Sequence, residues 1–486
     1  MKELDFVPNW ISGEEVVAHD GQTFDKYNPH TEELAVKAVA SSQVEVERAV
    51  SSAERAFDSW TSMPPPARGE ILYAWVERLR QHRQELAEIV AWETGKPPGD
   101  AEAEVAGALA QGEFFSGEGM RLYGRSLTSG MPEKYSHTVR QAIGIAGLIV
   151  PANTPIANIA WKVFPALICG NTVVLKASEH SPLIALRLAQ IAKEAGVPAG
   201  VLNIVQGKGD PAGKALVEDS RVGVISFTGS TSVGRWIAET AGRRLARVSL
   251  ELGGKNPFVV CDDADIDHAV EWASRSAFSN AGQRCASGSR IIVFESIRDE
   301  FVEKLVKKAN SLKLGIAKDC DIGPVISQKQ QEIIFDAIDK AQKSGGEILC
   351  GGAGMPESRK SGWYVKPTLI SELPTDSDLF DCEIFGPVAT VQGVKDLQEA
   401  LSLANRSRYG LTAAIHTRSI DRAVWFSQKV KAGMVNVNIG TYGSEPHMPF
   451  GGFGDSGNGT REPGVEALDV YSELKNISFL AREQAI

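Results

Sequence analysis

The spacing of apolar positions divides the chain into two textures. Over residues 43–58 apolar side chains recur every three to four positions, the period of a helix that buries one face. The same period runs over residues 68–93 and again over about 100–119, which predicts three amphipathic helices behind a short, hairpin-rich lead-in. Compact apolar runs then take over. Residues 142–149, 172–176, 201–205 and 222–227 have the length and composition of strands buried on both faces. Helical segments fall between or after them, at 159–166, 182–195, 210–218 and 232–241. A second series begins after about residue 253, with strands at 258–260, 290–294 and 388–391 and helices at 265–276 and 297–309.

Strand–helix alternation predicts parallel sheets, because parallel strands need crossovers and right-handed crossovers wind a sheet doubly. The expected fold class is therefore α/β, with two doubly wound units and a cleft between them, a common place for ligands.

Composition narrows the function classes. A chain of 486 residues can bury large cores in two or more domains. Its 51 basic and 61 acidic side chains leave a net charge of −10, which argues against nucleic acid or an anionic membrane as partner. No apolar stretch approaches the roughly 20 residues of a membrane helix. The N-terminal segment lacks the marks of a signal or transit peptide, so a cytoplasmic location is expected. The six cysteines (Cys169, Cys261, Cys285, Cys320, Cys350 and Cys382) are widely and irregularly spaced, without C-x-x-C. That pattern speaks against a disulfide framework or a structural zinc site, and the histidines suggest no metal site either.

Three segments carry chemistry. In Ser226–Gly234 a predicted strand ends in small residues and a helix begins. Backbone N–H groups there suit an anion such as pyrophosphate, while a capped turn is the plainer alternative. Gly207 to Gly213 forms a second glycine-containing loop after a strand. Glu251 stands in an apolar stretch before Gly253 and Gly254. Burial there raises a carboxylate towards general-base range, although a structural ion pair is equally compatible. Cys285 lies in a small, polar segment, where basic neighbours and exposed backbone N–H groups favour the thiolate; an inert loop thiol is the alternative.

Leu250-Glu-Leu-Gly-Gly-Lys-Asn256, followed some thirty residues on by Gly282-Gln-Arg-Cys285, resembles the paired active-site signatures of the aldehyde dehydrogenase superfamily. Pro151-Ala-Asn153-Thr-Pro155, Lys176-Ala-Ser-Glu179, the Gly229–Gly234 loop, Glu383-Ile-Phe385-Gly-Pro and Pro449-Phe-Gly-Gly452 match in the same order, so the resemblance covers nearly the whole chain. It implies NAD(P)⁺-dependent oxidation of a small-molecule aldehyde to the acid. Cys285 would be the nucleophile, passing through a thiohemiacetal and a thioester. Asn153 and the Cys285 N–H would be the oxyanion donors, and Glu251 would activate the hydrolytic water. For the cofactor it implies Lys176, Glu179, Gly209, Phe227, Gly229, Ser230, Gly234, Leu252, Glu383 and Phe385, with Glu462 in a proton path. The acidic Glu179, beside the adenosine ribose, would repel a 2′-phosphate, so NAD⁺ is expected over NADP⁺. The implied domains are a discontinuous NAD-binding domain (1–121 and 143–252), a catalytic domain (253–440), and an oligomerisation element (122–142 and 466–486). That element would make a homodimer or homotetramer. CoA-dependent acyl transfer and a catalytically silent homologue are the rival readings; Glu251 and the intact Cys285 and Asn153 weigh against them.

The chain departs from the pattern around the substrate. Ala152 and Thr154 replace aromatic residues that flank the asparagine, Asn158 replaces an apolar residue, and Ser444 falls where an aromatic is common, with His447 in the same loop. Trp161 and Phe450 are retained, and Arg284 is a candidate anion anchor. The expectation is a roomier, more polar mouth that takes a semialdehyde or another polar aldehyde.

Overall fold

The computed structural model describes residues 6–374 and 377–481. The outermost residues of the expected NAD-binding and oligomerisation segments, 1–5 and 482–486, lie outside the described residues.

Five parallel strands form most of the first sheet. Ile145–Ile149 sits at its centre, with Thr172–Lys176 and then Leu202–Val205 on one side, and Val222–Thr228 and then Arg247–Glu251 on the other. The hairpin Asn9–Ile11/Glu14–Val16 closes one edge antiparallel. Every residue of Ile145–Ile149, Thr172–Lys176 and Leu202–Val205 is buried, because elements cover both faces. That is why these strands read as unbroken apolar runs rather than alternating ones. The chain runs outward from Ile145–Ile149, then returns to lay Val222–Thr228 on its other side. This reversal opens a crevice at the carboxyl ends of the two strands, where open α/β sheets bind ligands.

The second seven-stranded sheet follows the same logic. Pro257–Val260 lies between Arg290–Phe294 and Thr412–His416, Met434–Val437 follows Thr412–His416, and Val388–Val394 and Thr368–Ser371 extend the other side. Only the edge strand Glu347–Cys350 is antiparallel. A third, three-stranded sheet pairs Ser472–Leu480 with Lys134–Ala142 over their full lengths and adds Ser126–Leu127. Tyr135, Leu474 and Phe479 are exposed on it. Among the described residues no helix is long and apolar enough to cross a membrane.

Three expected elements differ in detail. The helix expected over 68–93 is two, Pro65–Gln81 and Arg83–Thr94, broken at His82. The apolar period continues through the break, so the pattern hides it. The run 142–149 is cut at Gly144, whose φ of 137° ends one strand and lets the buried one start at Ile145. In 210–218 only Lys214–Glu218 is regular α-helix, and Asp210 is extended.

Candidate active site

Cys285 sits between the helix Ile266–Phe278 and the strand Arg290–Phe294, after a tight reversal. Asn280, Ala281 and Gly282 all take left-handed backbone, with φ of 54°, 53° and 66°. For the two residues with side chains this costs on the order of 1–2 kcal/mol each. A side chain at Gly282 would collide with the Gly386 carbonyl. The turn is held from outside: Asn256 Nδ2 donates to the carbonyls of Cys285 (2.7 Å) and Ser287 (2.8 Å), and Thr441 Oγ1 donates to that of Ala286 (2.6 Å). Gly254 packs so closely on the Cys285 carbonyl that a Cβ there would not fit.

The half-buried thiol packs in a small apolar cluster with Leu411, Phe450, Trp161, Met434 and Tyr442. The Trp161 and Phe450 rings lie 5.2 Å apart. Burial, and then the carboxylates of Glu383 and Glu251, push the thiol up to about 12. This corrects the expectation that basic neighbours favour the thiolate. Arg284, adjacent in sequence, stacks its guanidinium on the Tyr442 ring at 4.5 Å and donates to Ser279 Oγ.

Asn153 follows the central strand of the first sheet and precedes the helix Pro155–Ile168. Its Nδ2 donates to the Gln283 carbonyl (3.0 Å), which ties it to the cysteine loop. Asn158 Nδ2 donates to Thr154 Oγ1 (2.8 Å) and approaches Asn153 Oδ1 at 3.3 Å. The two polar replacements therefore bond to each other and to Asn153, which narrows the expected polarity of the mouth.

Glu251 ends the strand Arg247–Glu251 and is buried, and among the described residues neither carboxylate oxygen has a hydrogen-bond partner. Leaving a buried acceptor unpaired typically costs about 1–3 kcal/mol, more for a charged group. Burial, reinforced by the nearby Glu462, raises Glu251 well above the usual carboxylate range, against Lys162 and Arg461. Glu462, by contrast, is fully partnered: it accepts from Lys162 Nζ (2.6 Å), Ser226 Oγ (2.9 Å) and Tyr471 OH (2.9 Å).

Lys176, Glu179, Gly209, Phe227 and Phe385 line a cleft of ≈ 310 Å³ at the crevice of the first sheet. The cleft runs to Asn153 and Gln283. Its walls include Val233, Trp236 and Ile237, apolar enough to hold a planar base, and Lys176 and Glu179 pair across 3.3 Å. Although burial opposes it, Lys176 holds Glu179 below the usual carboxylate range. Gly209 faces open space, so backbone can approach a ligand there. Ser230 caps the helix Thr231–Gly242, leaving that helix start beside the cleft. The apolar walls, the acidic end and the open backbone fit a dinucleotide.

Other predicted residues do not line the cleft themselves. Leu252 packs on Gly234, where a Cβ would lie 2.5 Å from Leu252 Cδ2, and Gly229 packs under the Phe227 ring. Glu383 Oε1 accepts from the Gly254 N–H (3.1 Å), and burial raises it to about 7. Phe385, which does line the cleft, has a left-handed backbone (φ 55°), and Gln330 Nε2 donates to its carbonyl. Ser444 and His447 sit apart in the C-terminal loop. Ser444 Oγ bonds the Glu445 carbonyl, and His447 is exposed 3.9 Å from the Glu445 carboxylate. Asn256, Tyr442 and Gln283 were not read from sequence as site residues. Asn256 and Gln283 carried a signal, as members of the glutamate and cysteine motifs, and Tyr442 carried none.

Comparison with known proteins gives this arrangement its class. The model of the aldehyde dehydrogenase family matches residues 16–477, and the chain belongs to that family. It is thus an oxidoreductase that oxidises an aldehyde with NAD(P)⁺. An aldehyde dehydrogenase of Aspergillus niger is 38% identical, over 97% of this chain and 94% of that protein. The solved structure of betaine aldehyde dehydrogenase from Staphylococcus aureus in complex with NAD⁺ superposes with a TM-score of 0.96 at 33% identity, covering 100% of this chain and 96% of that one. An E. coli NADP-dependent enzyme superposes at 0.95 with 34% identity, covering 99% of each chain.

Proposed function

We propose that this chain oxidises a compact aldehyde with a polar or acid-bearing far end, preferring NAD⁺, through an acyl group carried on Cys285. The observation that carries this reading is the gathering of three groups at the Cys285 loop. They are the half-buried Cys285 thiol, the Asn153 amide tied to its loop, and the Glu251 carboxylate, which acts on that thiol and has no hydrogen-bond partner among the described residues. Cys285 Sγ attacks the carbonyl carbon. The developing oxyanion is held by the remaining Asn153 N–H and the Cys285 backbone N–H, donors that typically lower a barrier by about 3 kcal/mol each. NAD⁺ bound in the cleft supplies the hydride acceptor. Glu251 takes a proton from the water that cleaves the resulting thioester, so turnover needs no CoA.

The cofactor preference rests on Glu179, which lines the cleft and is held in its ionised form. Steady-state kinetics should give a higher kcat/KM with NAD⁺ than with NADP⁺. Replacing Glu179 by alanine should narrow the ratio by about fivefold or more, since like-charge contacts cost several kcal/mol. A higher kcat/KM with NADP⁺ in the unaltered enzyme overturns the preference.

The substrate reading rests on Arg284. Thr154 and Asn158 satisfy each other, whereas the guanidinium of Arg284, next to Cys285 in sequence and stacked on Tyr442 of the Cys285 cluster, carries a charge that a carboxylate can meet. An aldehyde bearing a carboxylate at its far end should turn over better than hexanal. Arg284→Leu should raise its KM by about tenfold, the loss of one charge-assisted contact, and leave hexanal unaffected. Better turnover of hexanal than of every charged aldehyde rejects this substrate class.

A further inference from the structure

A buried ion pair bonds the backbone on both sides of Thr154-Pro155, beside Asn153. Lys96 follows the helix Arg83–Thr94 after Gly95, whose left-handed φ of 74° and tight packing against Pro324 and Pro29 turn the chain inward. The Lys96 and Glu104 side chains are only 4% and 5% exposed and pair at 2.5 Å. Lys96 Nζ also donates to the Asn153 carbonyl at 2.9 Å. Glu104 Oε1 accepts from the N–H groups of Ile156 (3.0 Å) and Ala157 (3.4 Å), the first free donors of the helix Pro155–Ile168. Asn280 Nδ2, from the cysteine loop, reaches the same Asn153 carbonyl at 3.1 Å.

A buried ion pair costs several kcal/mol of desolvation per ion, and apolar residues of similar volume often stabilise a fold equally well. What apolar residues cannot do is hold a carbonyl and a helix start in fixed relation. The bonds of this pair land on both sides of Thr154-Pro155, and so set the peptide plane from which the Asn153 side chain projects. The tip of that side chain is fixed separately, by the Gln283 carbonyl and Asn158.

We propose that Lys96 and Glu104 are positioning residues for Asn153, clamping its backbone between the helix start and the cysteine loop so that its amide is aimed at an oxyanion on Cys285. This rests on Asn153 being the oxyanion donor. Misplacing such a group by about 1 Å can cost on the order of 10²-fold in rate.

Two reagents separate aim from damage in the full-length enzyme. Acylation of Cys285 by 4-nitrophenyl acetate passes through an oxyanion, whereas alkylation by iodoacetamide does not. Lys96→Met and Glu104→Gln should each slow acylation by about tenfold or more, and leave alkylation and NAD⁺ affinity within about twofold. In an Asn153→Ala background Lys96→Met should have no further effect, because residues acting through one group are not additive. Should the single Lys96 variant misfold for want of a partner to Glu104, the double variant Lys96→Met/Glu104→Gln carries the same expectation. Unchanged acylation, or a full Lys96 effect persisting without Asn153, overturns the positioning role. If Asn153→Ala itself leaves acylation unchanged, the reading of Asn153 fails first.

Discussion

Replacing Cys285 by serine should abolish aldehyde oxidation, by a factor on the order of 10⁵–10⁶ in kcat, while NAD⁺ affinity is retained. The pKa does not single this thiol out, since burial pushes Cys169, Cys261 and Cys285 alike up to about 12. Surroundings do. Cys169 and Cys261 are sealed in apolar clusters, whereas Cys285 is half-buried beside Trp161 and Phe450 in a loop that Asn256 holds by its carbonyl. A pH dependence follows from the raised thiol. Below about 12 the thiolate fraction rises tenfold for each pH unit, so in the cofactor-free enzyme inactivation by iodoacetamide should climb steadily between pH 7 and 9.5. A plateau in that range would mean that burial, together with the carboxylates of Glu383 and Glu251, does not hold the Cys285 thiol up. Peptide mapping separates this site from the exposed Cys382, whose modification should leave activity intact.

Replacing Glu251 by glutamine should lower steady-state turnover by about 10³-fold and yet preserve the first half of the reaction. The expected signature is a burst of about one NADH per active site, followed by near silence, with an acyl adduct on Cys285 visible by mass spectrometry. The physical basis is the isolation of the carboxylate: it is buried, has no hydrogen-bond donor among the described residues, and is raised by burial and by Glu462. A base works only when ionised. Since its pKa is raised, the active form is lost as pH falls through that raised value, and hydrolysis in the unaltered enzyme should increase with pH. The glutamine variant should lose that limb of the profile. A burst absent from the variant would mean that Glu251 is needed before the thioester forms, and would move its role to the attack step.

The parallel strands were legible because burial on both faces leaves an unbroken apolar run, as in Thr172–Lys176, whose bounds match the expected 172–176. Helix existence was legible for the same local reason, whereas the break at His82 was not, since the apolar face continues across it. Motif residues were legible as identities in register. Their partners were not. Asn256 reaches the Cys285 carbonyl across 29 positions and Lys96 reaches the Asn153 carbonyl across 57, and no local pattern announces either bond.

By itself the sequence determined the class of fold and the family, because periodicity is local and several spaced motifs rarely coincide by chance. Cys285, Asn153 and Glu251 were candidates on the same ground. Only the tertiary structure decided their condition. It stacked Arg284 on Tyr442, set two carboxylates near Cys285, and left Glu251 without a donor among the described residues. It also matched Thr154 to Asn158, so that two polar residues at the mouth satisfy each other. The reason is that charge state and free hydrogen-bonding capacity depend on what packs within a few ångströms, and that neighbourhood is assembled from segments far apart in the chain.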